Sequence, residues 1–250
     1  YEITTRLVGS EMCIRDRPMP DFIGRSEETM LALTERSSRE IPEQETAPLV
    51  PKWEQTKKQK VKGFDLHPDI PMSERNTFDL KANPVETVGK KERFRRNIMA
   101  IQLLKKCQEE NRFATPDEQI ILSKYVGWGG IPEAFDENNS AWGTEYLELK
   151  TVLTPEEYTA ARESTLTAFY TPPEVTTAIY NALSQMGFRE GNLLEPSCGI
   201  GNFIGMLPQS MENAKIYGVE LDPISAGIAQ QLYQKSSIAA RGFEAVSYTH

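Results

Sequence analysis

Between Lys90 and Arg112 the apolar residues Phe94, Ile98, Ile101 and Leu104 recur at helical spacing, which predicts a long amphipathic helix. Three further helix starts share one signature: Thr115-Pro116-Asp117-Glu118, Thr154-Pro155-Glu156-Glu157 and Thr171-Pro172-Pro173-Glu174. In each, the threonine hydroxyl can accept a bond from an orphan first-turn amide. Proline fits where no amide bond is needed, and the glutamate three residues on reaches back, so each is expected to be a capping box. Between the first two lies "YVGWGGIPEAF" (125 to 135), whose glycines permit a tight irregular turn and whose Trp128 and Phe135 are expected to pack it down rather than bind a ligand. From residue 165 the pattern changes. Val175, Ile179 and Leu183 fall on one face of a helix, "GNLLEP" reads as a short buried strand, and a helix follows from about Asn202. "KIYGVEL" (215 to 221) is a second strand, and Ile224, Ile228 and Leu232 line another helix. The alternation predicts a parallel α/β sheet with right-handed crossovers, in which ligands bind beyond the carboxyl ends of the strands.

The first part of the chain follows neither period. From Pro18 to about Arg75 it is charged and proline-punctuated, and "REIPEQETAPLVPKWEQTKKQK" is too polar to bury much surface, so 18–75 reads as a largely disordered linker. One short helix over "SEETMLALTER" is expected within it. "LVGSEMCIRDR" (7 to 17) resembles the peptide obtained when a sequencing adapter is translated in frame, and "VSYTH" (246 to 250) has the same look. Residues 1–17 and 246–250 are therefore set aside as scars with few packed contacts expected. This leaves 76–164 as a helical region and 165–245 as the first part of an α/β domain, with no internal repeat.

Composition narrows the chemistry. With 250 residues, 39% hydrophobic and 26% charged, a buried core is affordable, and a net charge of −8 argues against coating nucleic acid by bulk electrostatics. Any polyanion contact must be local. The polar face of the 90–112 helix offers a candidate, since Lys90, Lys91, Arg93, Arg95, Arg96, Lys105, Lys106 and Arg112 outnumber Glu92, Glu109 and Glu110. Its alternatives are a phosphate-backbone contact and a plain solvated face. No apolar run approaches the roughly 20 residues of a membrane-spanning helix, and a cytoplasmic location is expected. Cys13, Cys107 and Cys198 are far apart without CxxC spacing, and the only histidines are His67 and His250. Neither a metal site nor histidine acid/base chemistry is expected.

The turn "NLLEPSCGIGNF" (192 to 203) sits where such sheets bind ligands. Gly199 and Gly201 let the backbone turn sharply, and amides at the start of the next helix offer donors. Glu220 closes the next strand 19 residues after Gly201, where a carboxylate can accept bonds from ribose hydroxyls, so an adenosine-containing cofactor is implied. Gly199, Gly201 and Gly205 also fit a loose dinucleotide fingerprint. Glu195 weighs against it, because an acid repels a pyrophosphate and suits a cofactor bearing an ammonium and a sulfonium. Cys198 reads as small packing rather than a nucleophile, with no histidine positioned to activate it.

These residues resemble the S-adenosylmethionine-dependent DNA adenine (N6) methyltransferases. "LLEPSCGIGNF" looks like their motif I, "AFYTPPEV" (168 to 175) like motif X and "GVELDP" (218 to 223) like motif II, in the family's order. Upstream, "KERFRRNIMAIQLLKKCQEENRFATPDEQIILSKYVGWGG" and "YLELKTVLTPEEYTAARESTLTAFYTPPEV" are similar to the N-terminal part of the large methylase and helicase-like proteins of bacterial conjugative elements, so that the likeness runs from about Asn76 to Ala245. The resemblance implies a Rossmann-like methyltransferase fold that takes S-adenosylmethionine and acts on DNA. It gives Tyr170, Thr171 and Pro172 the methionine end of the cofactor. Glu195, Pro196, Ser197, Cys198, Gly199 and Gly201 shape the motif I pocket, Asn202 and Phe203 open the following helix, Glu220 takes the ribose and Leu221 lies against the adenine. For Thr171 the alternative is simple capping, and for Glu220 a strand-end surface acid.

The family's catalytic motif, of the type Asn/Asp/Ser-Pro-Pro-Tyr/Phe/Trp, serves a flipped base and does not occur in this sequence. Asn83-Pro84-Val85, Asp222-Pro223-Ile224 and Thr171-Pro172-Pro173 are not substitutes. The expectation is a truncated methyltransferase fragment, inactive alone, with no catalytic residue present. Two other readings stand beside it: an NAD- or NADP-dependent oxidoreductase fragment, and a non-catalytic segment whose helical region docks a partner.

Overall fold

A computed structural model describes residues 65–166 and 170–243. The expectations for 1–17, 18–64, the helix over "SEETMLALTER" and 246–250 lie outside the described residues. The 90–112 pattern forms α1 (Lys90–Glu109), which buries Phe94, Ile98, Ile101 and Leu104 as predicted, together with Asn97, Ala100 and Cys107. It ends at Glu110, after which Asn111 takes a left-handed φ of 47°. Two of the three capping boxes form. α2 (Pro116–Leu122) and α4 (Pro155–Ser164) are capped by Thr115 with Glu118 and by Thr154 with Glu157, each pair satisfying two orphan amides. Between them lie a short 3₁₀ turn (Pro132–Phe135) and α3 (Gly143–Val152). Trp128 and Phe135 are buried and meet edge to face at 5.4 Å, packing the glycine-rich turn down as its composition predicts.

The third box does not form. α5 (Pro173–Gln185) has Pro172 as its N-cap at φ −59°, ψ 147°, with no side-chain cap bond. The second proline explains it: the residue before a proline is pushed out of the helical region, so Pro172 stays extended and the helix opens one residue later than the Thr171 box requires. The buried face of α5 differs too. Thr176 and Tyr180 turn inward while Val175 is 47% exposed. The larger ring takes the inner position because its hydroxyl donates to the Phe203 carbonyl at 2.7 Å.

The sheet holds β1 (Asn192–Glu195), β2 (Lys215–Glu220) and β3 (Ser237–Ala240), all parallel in the order β1-β2-β3. β3 had no distinct sequence signal, being four residues of small and mixed character. After β1 the helix predicted from Asn202 is a single turn, α6 (Asn202–Gly205), soon followed by Pro208, which cannot continue a helix. α7 (Pro223–Leu232) is buried along most of its length, between the sheet and α1 and α2. Gly227 allows the approach, since a Cβ there would meet Leu104 at 3.1 Å. One hydrophobic core runs from Phe78 through α1 and α7 to Ile238, drawing on both the helical and the α/β segments.

Residues 65–75, the end of the predicted linker, are tied into this body. Arg75 is 5% exposed and donates to Asp65 at 2.9 Å, to the carbonyls of His67 at 2.7 Å and Ile70 at 2.8 Å, and to that of Gln234 at 3.3 Å. The following residues run antiparallel to the end of α7, with Phe78 N–H donating to the Leu232 carbonyl at 2.9 Å and Thr77 bridging Tyr233. Polar composition hid this segment because its order comes from one buried guanidinium rather than from apolar area.

Candidate cofactor site

β1 and β2 run side by side with Glu195 opposite Gly218, so their carboxyl ends bring Glu195 and Glu220 to the same edge of the sheet. The turn from Pro196 to Gly201 loops over β2. Cys198 N–H donates to the Val219 carbonyl at 2.9 Å, and Gly201 N–H to the Cys198 carbonyl at 2.8 Å. The Cys198 thiol fills the space above Gly218, where a Cβ would come within 3.0 Å of Sγ. Burial, then the charges of Glu220 and Glu195, push that thiol up to about 12, so it is packing and not a nucleophile. Gly199 and Gly201 have φ of 53° and 87°, a region in which side chains other than glycine are strained.

Glu220 clamps the turn. One carboxylate oxygen accepts the Gly199 N–H at 2.8 Å and the other the Asp222 N–H at 2.9 Å. Burial raises its pKa from the usual range while these amides oppose the rise. Asp222 caps α7 through Ser225 N–H at 3.0 Å and the Ser225 hydroxyl at 2.5 Å. Glu195 is the more perturbed acid: burial pushes its pKa up to about 7, the Ser197 amide acts against the rise and Glu220 adds to it. Among the described residues the causes of that shift are burial, the Ser197 amide and Glu220.

The structure brings Tyr170, Cys198, Gly199 and Glu220 into one cluster, with the Tyr170 ring against Gly199. Thr171 follows directly, half-buried, while Pro172 is exposed. Pro196, Asn202 and Phe203 are half-buried and Ser197 is exposed at the rim. Leu221 is 74% exposed beside Glu220, unburied by any neighbour. α6 is a single turn, so its dipole has little to offer an anion beyond its first-turn amides. Sequence reasoning missed Asn97, Tyr125, Gly127 and Ser225, which surround Tyr170 or hold what does. The signal available for Gly127 was its place in "VGWGG", read only as a turn.

Six of the cations on the basic face of α1 and its C-terminal continuation form internal ion pairs. Lys90 pairs with Glu133, Lys91 with Glu145 at 2.6 Å, Arg95 with Glu92, Arg96 with Glu92 at 3.3 Å, Lys105 with Glu157 at 2.6 Å and Arg112 with Glu118 at 2.6 Å. Lys90, Lys91 and Lys105 tie the 133–157 segment to α1, while Arg95 and Arg96 pair within α1 and Arg112 with α2. A groove of about 590 Å³ lies near Tyr146, Lys150, Tyr158 and Arg162, apart from the cluster of Tyr170, Cys198, Gly199 and Glu220. Among the described residues no group of His, Cys, Asp and Glu is arranged to hold a metal ion, and no helix is long and apolar enough to cross a membrane.

With this geometry in view, comparison with known proteins is informative over one stretch. The chain is 39% identical over 62 residues to the type II methyltransferase M.CvrRI of Paramecium bursaria Chlorella virus XZ-6E. The chain is related to a methyltransferase. The match covers 25% of this chain and 16% of that relative, so the chain spans a small part of its length. No family model matches, and no solved structure matches.

Proposed function

We propose that this chain carries the cofactor-binding part of an S-adenosylmethionine-dependent methyltransferase acting on the adenine amino group of DNA, on a Rossmann-like sheet, in the cytoplasm. The observation that carries the reading is the pair of acids at one edge of the sheet: Glu195, a half-buried carboxylate at the end of β1 whose pKa is pushed up to about 7, with Glu220 at the end of β2 beside it. A site built this way presents two carboxylates at one edge. It fits a ligand that brings an ammonium and a sulfonium, and it opposes a pyrophosphate, which would face Glu195, Glu220 and Asp222 together.

When bound, S-adenosylmethionine supplies an activated methyl group. The residues of this chain bind and orient. Glu195 would accept from the ammonium end, and Tyr170, Thr171 and Pro172 would border the methionine. Glu220 keeps lone pairs for ribose hydroxyls while holding the Gly199 and Asp222 amides, and Leu221 offers exposed apolar surface to the adenine. Transfer to a flipped adenine needs a polar Pro-Pro-aromatic loop of a kind not found in this sequence, so the chain alone is proposed to bind cofactor without turning over. Calorimetric titration with S-adenosylmethionine, NAD and NADP at pH 6 and pH 8 tests the reading. S-adenosylmethionine should bind tightest, and more tightly at pH 8, where Glu195 is ionised. Tighter binding of NAD or NADP would overturn it in favour of nucleotide-dependent redox chemistry.

A further inference from the structure

Tyr170 stands between two left-handed glycines from distant parts of the chain. A Cβ at Gly127 (φ 65°) would fall 3.0 Å from the Tyr170 Oη and 3.3 Å from Cε2. A Cβ at Gly199 (φ 53°) would fall 3.0 Å from Cε1 and 3.5 Å from Cδ1, on the opposite edge of the same ring. Neither glycine can gain a side chain without moving the tyrosine. The outer glycine is itself immobilised. Asn97, 0% exposed in α1, donates from Nδ2 to the Gly127 carbonyl at 2.6 Å and accepts the Val126 N–H at its Oδ1 at 2.9 Å. A buried amide that spends both ends on one turn fixes where that turn stands. On the inner side, Gly199 is held by Glu220. Burial raises the phenols of both Tyr125 and Tyr170, and the Ser225 hydroxyl opposes the rise in each, which places the two rings around one hydroxyl of α7.

We infer that the 125–135 turn of the helical region is a positioning element for the 197–201 loop: Asn97 fixes Gly127, Gly127 limits Tyr170, and the Tyr170 ring sets where Gly199 can stand. Asn97 and Gly127 act through Tyr170 and touch no cofactor. The helical region therefore contributes to the affinity of a site it does not line. The inference rests on the proposed cofactor role of that loop, but the placement of the loop has a readout of its own. Cys198, next to Gly199, is buried, so its alkylation reports loop displacement, while Cys107 in α1 reports global opening.

The experiment uses the 250-residue chain with Gly127→Ala, Tyr170→Phe, the double variant and Asn97→Asp. Iodoacetamide alkylation is mapped to each cysteine by mass spectrometry, and S-adenosylmethionine affinity is measured alongside. Gly127→Ala should raise the Cys198 rate at least about fivefold relative to Cys107, a loss of protection near 1 kcal/mol. Tyr170→Phe removes the atom nearest the new Cβ, so the double variant should return most of the way to the Tyr170→Phe rate. The loss of cofactor affinity caused by Gly127→Ala should shrink likewise in the Tyr170→Phe background. Should Gly127→Ala fail to fold, Asn97→Asp decides: it keeps the acceptor for Val126 and loses the donor to Gly127, and should raise Cys198 alkylation selectively. Unchanged Cys198 protection in both variants, or a double variant as reactive as Gly127→Ala, would overturn the inference. Coupled cysteine rates without any S-adenosylmethionine binding would uphold the positioning and sink the proposed function instead.

Discussion

Replacing Glu195 by glutamine should make the protein more stable at pH 8 and leave it unchanged near pH 4.5. The native carboxyl titrates at about 7, against an ordinary value of 4.5. Between those values the folded state holds a proton that the unfolded state has released, so stability falls as pH rises through this window and is lowest above pH 7. The full shift corresponds to about 3 kcal/mol at 1.36 kcal/mol per unit. Solvent screening of a carboxylate that is not fully enclosed reduces this to about 1–2 kcal/mol. Glutamine has nothing to ionise, and it also relieves Glu220 of a neighbouring charge. For an ordered body of this size, each kcal/mol moves Tm by about 2–4 °C, so Glu195→Gln should melt about 2–8 °C higher than the parent at pH 8. Thermal melts from pH 4.5 to 8.5 on both proteins check this. A Tm difference that stays constant across the range would refute the reasoning, because it would mean that Glu195 is not held protonated by its surroundings. The same variant should bind S-adenosylmethionine more weakly at pH 8.

Thr154→Ala should cost about 1 kcal/mol of stability in urea melts through loss of its cap, whereas Thr171→Ala should cost under about 0.5 kcal/mol and act on cofactor binding instead. Equal costs would show that Thr171 caps α5 after all. Glu220→Ala should weaken S-adenosylmethionine binding by about 1.5–3 kcal/mol, read by calorimetry, and a change below twofold would remove Glu220 from the site. Glu118 is held at about 2 chiefly by Arg112, so the stability it contributes is present above pH 4.5 and lost as pH falls toward 2. Glu118→Gln should flatten the acid limb of the stability curve by about 0.5–1 kcal/mol, and an unaltered acid limb would count against the pair.

What could be read from the chain beforehand was whatever a local period or a local bond determines. The apolar spacing of Phe94, Ile98, Ile101 and Leu104 located α1, and two of three threonine caps formed where a single proline follows the threonine. The Thr171 start failed because a second proline changes which residue can be helical, a rule as local as the cap it overrides. α5 misled for a different reason. Its strongest apolar stripe is not its buried stripe, because the hydroxyl of Tyr180 finds a partner on Phe203, which no helical wheel contains. Gly199 and Gly201 were legible as turn formers, yet what they accommodate was not. Gly199 faces a tyrosine whose other edge faces Gly127, and contacts of that range carry no sequence period. The pairing of α1 cations with Glu133, Glu145 and Glu157 was invisible for the same reason, so a basic run looked freer than it is.

Tyr233, at the end of α7, lies so close to Gly201 and Gly205 that a Cβ on either would overlap its ring or hydroxyl, and a Cβ at Gly205 would also come within 2.9 Å of Leu80. Three positions spread over about 30 residues of sequence therefore share one volume. The glycine spacing that invites comparison with nucleotide-binding fingerprints is here also a receipt for a bulky neighbour. Among descendants of this sequence the three should drift together. An alanine at 205 should be found only with a smaller residue at 233, and a chain that keeps the tyrosine should keep both glycines whatever the site binds.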